Sequence, residues 1–307
     1  MSSSASSADR DRVVRLVVGY DGSDAAGAAS AFALWLAGKT GAEARLVHVS
    51  PDLAHAAHAS QVASAEALIA AAERRLDADM EWRRRLDDLA SYAAEGAAVE
   101  CEVVRGSPAG ALVDEARSRG ADLLLVGSTG VGALRAAFLG SVSSQVVEHA
   151  PCPVLVFREG QPASPAHVQA IVVGVDGSPS SQEALAWART LAPPLGARLV
   201  LVSAYASGVA LDLPLGGARE DLRDHAVGLL RAARERAGEQ VAAVEEAVEG
   251  GAREQLAAAC ERHGPALLAV GSRGLGGFAG LLLGSTSRWL LNHAPCPVLV
   301  ARSHEHR

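Results

Sequence analysis

Two glycine-rich segments of the chain have residue types and spacing suited to holding an anion. The first is Gly127-Ser128-Thr129-Gly130, followed after nine intervening residues by Gly140-Ser141. The second is Gly271-Ser272-Arg273-Gly274, followed at the same spacing by Gly284-Ser285. Glycine lets backbone N–H groups approach a ligand closely and permits a positive φ. Each Gly-Ser pair is expected to open a helix, whose free N–H groups and dipole favour phosphate.

Polar side chains beside these loops extend the same chemistry. Asp21 and Asp176 each follow an apolar run, and we expect them to project into the crevice beside the loop. Hydroxyl donors are expected from Ser141, Ser143, Ser285, Thr286 and Ser287. In open α/β sheets, ligands bind beyond the carboxyl ends of the strands, where the strand order switches. The arrangement therefore suits a nucleotide whose phosphates lie along the loop.

The elements that must position these residues alternate between strand and helix. Near-continuous apolar runs without polar alternation indicate strands buried on both faces, as in parallel sheets. The first half predicts strands at 13–20, 44–50, 97–105, 122–126 and 154–157, separated by helices at 23–39, 60–94, about 107–120 and 141–149. The order then restarts, since residues 171–178 repeat residues 16–23. Five strands in each half predict an α/β fold with two tandem doubly wound domains, each a five-stranded parallel sheet with helices on both faces.

The domain boundaries follow from composition. Residues 1–11 are small and polar and are predicted to be a disordered tail. Residues 12–158 form the first predicted repeat and residues 169–303 the second, joined by a proline-containing linker at 159–168. A length of 307 residues allows two domains of about 150 residues each.

Composition and charge exclude several classes of protein. Hydrophobic residues make up 49% of the chain and charged residues 21%, which is typical of a globular protein. The net charge of −7 argues against nucleic-acid binding. The four cysteines show no CxxC spacing, so we interpret them as reduced thiols. A signal-peptide apolar region and a run of 18 apolar residues are both missing from the sequence, so we expect a cytoplasmic protein without membrane partners.

The combination of three motifs resembles the universal stress proteins, and more narrowly their ATP-binding branch in tandem form. The motifs are G-x2-G-x9-G-S after the fourth strand, Val-Gly-x-Asp-Gly-Ser at the first, and Pro-Cys-Pro-Val at the fifth, and all three occur twice. The resemblance implies strand order 3-2-1-4-5 in each domain and one ATP, with Mg²⁺, per repeat. In such proteins the fifth strands pair across a dimer. We therefore predict that the two repeats pair through them within one chain, and that two chains then associate.

The resemblance also implies which residues bind nucleotide. By position, the adenine would lie near Gly19, Asp21 and Val49 in the first repeat, and near Gly174, Asp176 and Ala204 in the second. Ribose and phosphates would meet Gly127, Gly130, Gly140, Ser141, Val142 and Ser143, and in the second repeat Gly271, Gly274, Gly284, Ser285, Thr286 and Ser287. Arg273 stands where the first repeat has Thr129, so an arginine could reach a phosphate in the second site alone.

The sequence leaves the biochemical role open between three hypotheses. A nucleotide-dependent regulator of the stress response is favoured because the crevices carry no catalytic set of side chains. A slow metal-dependent ATPase or phosphotransferase would have to use Asp21 or Asp176 with a divalent metal. A scaffold that no longer holds nucleotide is disfavoured by the intact glycines. We predict no protein-built metal site, since the histidine pairs His55/His58 and His304/His306 lack supporting cysteines or carboxylates.

Overall fold

A computed structural model describes residues 12–50, 65–130, 139–161, 167–205, 216–264, 266–275 and 282–303. The predicted disordered tail at 1–11, the middle of the predicted linker, the start of the predicted long helix and the two histidine pairs lie outside these residues.

Each half of the chain alternates strands and helices. In the first half these are β1 (Arg15–Gly19), α1 (Asp24–Thr40), β2 (Glu43–Ser50), α2 (Ala65–Ala90), β3 (Val99–Arg105), α3 (Pro108–Arg119), β4 (Leu123–Gly127), α4 (Ser141–His149) and β5 (Val154–Phe157). In the second they are β6 (Ala170–Gly174), α5 (Pro179–Leu195), β7 (Arg198–Tyr205), α6 (Gly216–Ala237), β8 (Ala243–Glu249), α7 (Ala252–His263), β9 (Ala266–Gly271), α8 (Ser285–His293) and β10 (Val298–Ala301).

The helix ends follow from local residue chemistry. The Ser23 side chain caps α1 by accepting a hydrogen bond from the Ala26 N–H, and Ser178 caps α5 by accepting from Ser181. Helix α1 ends at Gly41, which takes a left-handed φ of 70° that other residues adopt only at a cost. Pro108 at the start of α3 loses no hydrogen bond, because the first helical N–H has no partner within the helix.

The strands form one sheet of ten, in the order β3-β2-β1-β4-β5-β10-β9-β6-β7-β8. Each half has the predicted order 3-2-1-4-5 with parallel neighbours, which confirms the doubly wound α/β fold. The two five-stranded parallel sheets are joined through their fifth strands. Strands β5 and β10 pair antiparallel, with Leu155 opposite Leu299, so the two sheets are continuous and the whole is mixed.

The core has two layers, one on each face of this sheet. Alternate residues of a strand point to opposite faces, so Leu16 and Val18 join one apolar cluster and Val17 joins the other. Helices α1, α2, α5 and α6 cover the first cluster, and α3, α4, α7 and α8 cover the second. Both clusters run through both halves. Leu155 and Leu299 meet at the join within the first cluster, and the paired valines Val156 and Val298 continue the second.

The cysteines lie free within these layers. Cys152, Cys260 and Cys296 are buried and Cys101 is half-buried, without a disulfide among them. Burial raises the pKa of the Cys152 thiol to about 12, and burial followed by a hydrogen bond to Asp87 raises the pKa of Cys101 to about 12. The neutral thiol therefore persists at physiological pH, as the interpretation from sequence requires. Among the described helices, none is long and apolar enough to span a bilayer.

Candidate ligand-binding clefts

Two clefts open at the carboxyl ends of the strands, one in each half. In the first half β1 lies between β2 and β4 and pairs parallel with both. The chain therefore leaves β1 toward one side of the sheet and returns to β4 on the other. Such a switch point leaves a crevice between the loops that follow the two strands. The second half repeats the arrangement with β6 between β7 and β9.

The cleft of the first repeat has a volume of about 470 Å³. All nine residues that the sequence predicted for this repeat line it, and they are Gly19, Asp21, Val49, Gly127, Gly130, Gly140, Ser141, Val142 and Ser143. The structure thus brings together residues from the ends of three strands and from the first turn of α4. Tyr20, His48 and Leu112 line the same cleft without having been predicted.

The cleft of the second repeat has nearly the same volume, about 480 Å³. The ten predicted residues all line it, and they are Gly174, Asp176, Ala204, Gly271, Arg273, Gly274, Gly284, Ser285, Thr286 and Ser287. Both volumes fall in the range of small-molecule and cofactor sites, which runs from roughly 300 to 1,000 Å³.

The glycines that end β4 and β9 are required by packing against a helix. A Cβ atom on Gly127 would lie 2.9 Å from the Ala26 nitrogen of α1, and one on Gly271 would lie 2.8 Å from the Ser181 nitrogen of α5. The loop glycines do not use the positive φ that glycine permits, because they lie outside the left-handed region. That conformation falls instead on Gly22 (85°) and Gly177 (81°), directly after the two aspartates.

The second glycine of each loop makes room for a carboxylate. A Cβ atom on Gly130 would lie 2.7 Å from Oδ2 of Asp21, and one on Gly274 would lie 2.7 Å from Oδ2 of Asp176. Oδ1 of Asp21 accepts hydrogen bonds from the N–H (3.0 Å) and the hydroxyl (2.7 Å) of Ser23. The turn after β1 therefore fixes this carboxylate and directs its second oxygen toward the glycine loop.

The first turns of α4 and α8 leave backbone donors for a ligand. Gly140 and Gly284 are the N-cap residues and provide no side-chain cap. Their own N–H groups donate to Ser128 (2.6 Å) and Ser272 (2.7 Å), which closes each loop back on its strand. The N–H groups of the following residues have no partner within the helix, and with the helix dipole they favour an anion.

Two of the predicted hydroxyl donors have a different role. The Ser143 hydroxyl donates to the carbonyl of Ser128 at 2.7 Å, and the Ser287 hydroxyl donates to the carbonyl of Gly271 at 2.6 Å. Both side chains are buried. Their protons hold the glycine loops to the helices, so toward a ligand these oxygens can act only as acceptors.

The two clefts differ in their cations. Arg273 lines the second cleft, whereas the equivalent Thr129 is buried. The carbonyl of Arg273 accepts a hydrogen bond from the Ser180 hydroxyl of α5, which fixes the backbone from which the guanidinium extends. Burial first, and then the nearby charge of Arg273, lowers the pKa of Arg302 at the end of β10. Since Arg158 occupies the position of Arg302 in the first repeat, Arg273 is the cation by which the described linings of the two clefts differ.

An aromatic cluster borders the first cleft. The rings of His48 and Trp82 stack with centroids 3.8 Å apart, and Nδ1 of His48 lies 2.9 Å from the carbonyl of Tyr20. His48 is 8% exposed. Burial lowers the pKa of His48, despite opposing effects of the Tyr20 carbonyl, Asp21 and Asp79; Arg85 lowers it further. The second repeat has Ser203 and Val175 at the positions of His48 and Tyr20.

This histidine predicts a pH dependence of stability. Because its pKa is lower in the folded protein than the ordinary 6.5, the unfolded chain binds the proton more readily. Its contribution to the free energy of unfolding is thus complete above pH 6.5 and is lost as the pH falls through the folded pKa. Replacing His48 with Phe, which keeps an aromatic ring, should flatten the decline between pH 7.5 and about pH 5 in urea unfolding. Parallel pH curves for His48→Phe and the parent protein would contradict the prediction.

The histidines at the ends of α4 and α8 play a local part. Nδ1 of His149 lies 2.9 Å from the carbonyl of Gln145, and Nδ1 of His293 lies 2.8 Å from that of Trp289. Each ring nitrogen thus lies beside a backbone carbonyl one turn earlier in its own helix, which is a structural role. Within the described residues, His, Cys, Asp and Glu side chains form no group of three or more that could hold a metal ion.

The fold and the clefts define a class of protein. It is a tandem, doubly wound α/β protein with a glycine-lined cleft at each switch point. A model of the universal stress protein family matches residues 14–158 and 167–302, one copy for each half. The chain belongs to the universal stress protein family. A universal stress protein of Mycobacterium tuberculosis is 37% identical over 227 residues, which cover 69% of this chain and 68% of the relative. Another from the same species is 33% identical over 208 residues, covering 66% and 69%.

Solved structures agree with the fold. A universal stress protein from Archaeoglobus fulgidus superposes with a TM-score of 0.65 at 19% identity, over 96% of this chain and 98% of that one. A functionally unknown protein from Pseudomonas aeruginosa superposes with a TM-score of 0.67 at 18% identity, over 97% and 95%. At these identities the likeness concerns the fold alone.

Proposed function

We propose that the chain binds adenine nucleotide, specifically ATP with Mg²⁺, once in each repeat, and acts as a nucleotide-dependent regulator in the stress response. The observation that carries the proposal is the convergence of the two glycine loops, the two aspartates and the two helix N-termini on a pair of equivalent clefts. Each cleft combines apolar walls at the strand ends with backbone donors at one end. An adenine suits the first environment and phosphates suit the second.

A magnesium ion fits these clefts only as a companion of the phosphates. Mg²⁺ is usually held by one or two carboxylates together with substrate phosphates and water. Each cleft offers one such carboxylate, Asp21 or Asp176, whose Oδ2 faces the glycine loop. The residues present would therefore hold the metal once nucleotide is bound, where it would neutralise phosphate charge. Calorimetric titration with ATP should accordingly give tighter binding in magnesium than in excess chelator.

Calorimetry with ATP also tests the number of sites. The native chain should bind two molecules of ATP. Replacing Gly130 with Val should leave one site, because the new side chain displaces the Asp21 carboxylate into the cleft, and replacing Gly274 with Val should do the same at Asp176. The combined variant should bind none. Circular dichroism serves as the folding control. A native chain that binds no ATP would overturn the proposal in favour of a scaffold.

A slow metal-dependent ATPase or phosphotransferase using the same clefts is the second candidate. It is supported by the placement of one carboxylate beside each proposed phosphate site. Phosphate release that requires Mg²⁺ and is lost in the combined Asp21→Ala and Asp176→Ala variant would establish it. Turnover that survives this variant would point to a contaminating enzyme. If the protein is instead a regulator, it should bind nucleotide without releasing phosphate.

Association of two chains stays a prediction, and the pairing of β5 with β10 restricts how it could occur. Both strands have a neighbour on each side within the chain, so they offer no edge to a second molecule. Light scattering at micromolar concentration should give the mass of a dimer if the predicted association holds. The mass of a single chain would refute it without affecting the proposed clefts.

A further inference from the structure

Helix α8 of the second repeat lines one cleft and contacts the loop that leads into the other. Its first three residues, Ser285 to Ser287, line the cleft of its own repeat. Near its other end, Oδ1 of Asn292 accepts a hydrogen bond of 2.6 Å from the N–H of Leu139. Leu139 directly precedes Gly140, the N-cap of α4 in the first cleft. A helix of nine residues is only about 13 Å long, so one short element reaches from one ligand loop to the other.

The orientation of the Asn292 amide is fixed by a second hydrogen bond. Its Nδ2 donates to the carbonyl of Arg288, one turn earlier in α8, at 2.6 Å. The Arg288 carbonyl requires the NH2 end of the amide, and the Leu139 N–H requires the oxygen end. These two neighbours together therefore determine the orientation of the amide. Asn292 is half-buried, which reduces competition from water. The oxygen is therefore held toward Leu139 before any ligand binds.

Further contacts hold this part of the second repeat against the first. Nη2 of Arg288 lies 3.1 Å from Oε1 of Glu148, near the end of α4. Nε2 of Gln161, which follows β5, donates to the carbonyls of Ala294 (2.8 Å) and Cys296 (2.9 Å), directly after α8. Helix α8 is thus anchored at the position from which Asn292 reaches the other repeat.

The contact is not reciprocal, although the repeats are alike. Glu148 occupies the position of Asn292 in the first repeat, since both stand two residues before an Ala-Pro-Cys-Pro segment. The Glu148 carboxylate pairs with the Arg288 side chain. The backbone of the first loop thus donates a hydrogen bond to the Asn292 side chain of the other repeat, whereas the equivalent Glu148 side chain forms an ion pair between helices.

We infer that Asn292 is a positioning residue for the first cleft, supplied by the second repeat. By holding Leu139 it sets the path on which Gly140 enters α4, and so the direction of the N–H groups at that helix start. The first site is therefore incomplete within its own repeat. The identity of the ligand rests on the proposed function, whereas the positioning of Leu139 does not.

Amide hydrogen exchange in nucleotide-free protein tests the contact without reference to any ligand. Replacing Asn292 with Leu removes the acceptor at similar size and should speed exchange of the Leu139 N–H by about fivefold, the equivalent of one ordinary hydrogen bond. Replacing Asn292 with Asp keeps an acceptor oxygen there and should leave the exchange rate close to that of the native chain. An unchanged rate in Asn292→Leu would overturn the inference.

Titration with ATP in two single-site backgrounds tests the consequence. With the second cleft closed by Gly274→Val, Asn292→Leu should weaken binding by about fivefold. With the first cleft closed by Gly130→Val, Asn292→Leu should change nothing. Equal weakening in both backgrounds would reveal a general loss of stability and overturn the inference. If the native chain binds no ATP, the proposed function fails, and the exchange measurement alone decides whether Asn292 positions the loop.

Discussion

Replacing Gly271 with Ala should destabilise the protein by about 3 kcal/mol, at the upper end of the usual cost of forcing a methyl group into a packed site. The new Cβ would lie 2.7 Å from the carbonyl carbon of Ser180 and 2.8 Å from the nitrogen of Ser181. Both atoms belong to the backbone of α5, so the clash cannot be relieved by rotating a side chain. The whole first turn of the helix has to move away from β9. Guanidinium unfolding monitored by circular dichroism should show the loss as a lower midpoint.

The first repeat provides a matched pair of variants for this prediction. Gly127→Ala should also destabilise, though by less, because the corresponding distances to α1 are 2.9 Å and 3.1 Å. Gly27 lies within the same helix α1, and a Cβ there meets no atom within 4 Å. Gly27→Ala should therefore stabilise the protein by about 0.5–1 kcal/mol through the better helix propensity of alanine. A native-like midpoint for Gly271→Ala would refute the view that close packing determines this glycine.

Replacing Arg273 with Ala should weaken ATP binding at the second cleft by about tenfold, which is the usual effect of losing one charge-assisted hydrogen bond. The first cleft should be unaffected, since it has Thr129 at this position. Calorimetry on the Gly274→Val and Gly130→Val backgrounds isolates the two sites. The native difference between the sites should shrink as salt is added, because partly exposed charges are screened.

Two further variants separate charge from geometry at this position. Arg273→Lys keeps the positive charge but lacks the planar fork that matches two phosphate oxygens, so it should fall between the native chain and Arg273→Ala. Arg231 is exposed on α6, and its replacement by Ala removes one cation from the same repeat. Weakening by Arg231→Ala equal to that by Arg273→Ala would mean that net charge alone is responsible.

The sequence was sufficient to place the cleft residues because the necessary signals are local. A glycine after an apolar run marks a strand end, and an aspartate, a glycine and a serine mark the turn beyond it. Parallel strands bring such ends to one edge of the sheet, so all of the predicted site residues line the two clefts. Their binding of nucleotide is the part that the proposed experiments address.

The features of the clefts that the sequence did not predict depend on contacts between distant parts of the chain. His48 of β2 stacks on Trp82 of α2. The hydrophobic periodicity of each element does not predict which residue of the other element it will contact. Asn292 contacts Leu139 across the repeats, a contact that exists only after β5 and β10 have paired. The reason for each loop glycine was also inaccessible, because a close approach between backbones appears only once the helices are packed.

The antiparallel pairing of β5 with β10 gives the single chain an approximate two-fold axis through its centre. An assembly of identical subunits about such an axis must present the same pocket twice, and any substitution changes both pockets together. Here the sequences of the two halves differ. Equivalent positions can therefore hold different residues, such as Thr129 and Arg273, or Glu148 and Asn292. The single chain thereby combines two unlike pockets in a fixed one-to-one ratio. Because both pockets belong to one chain, dilution cannot separate them.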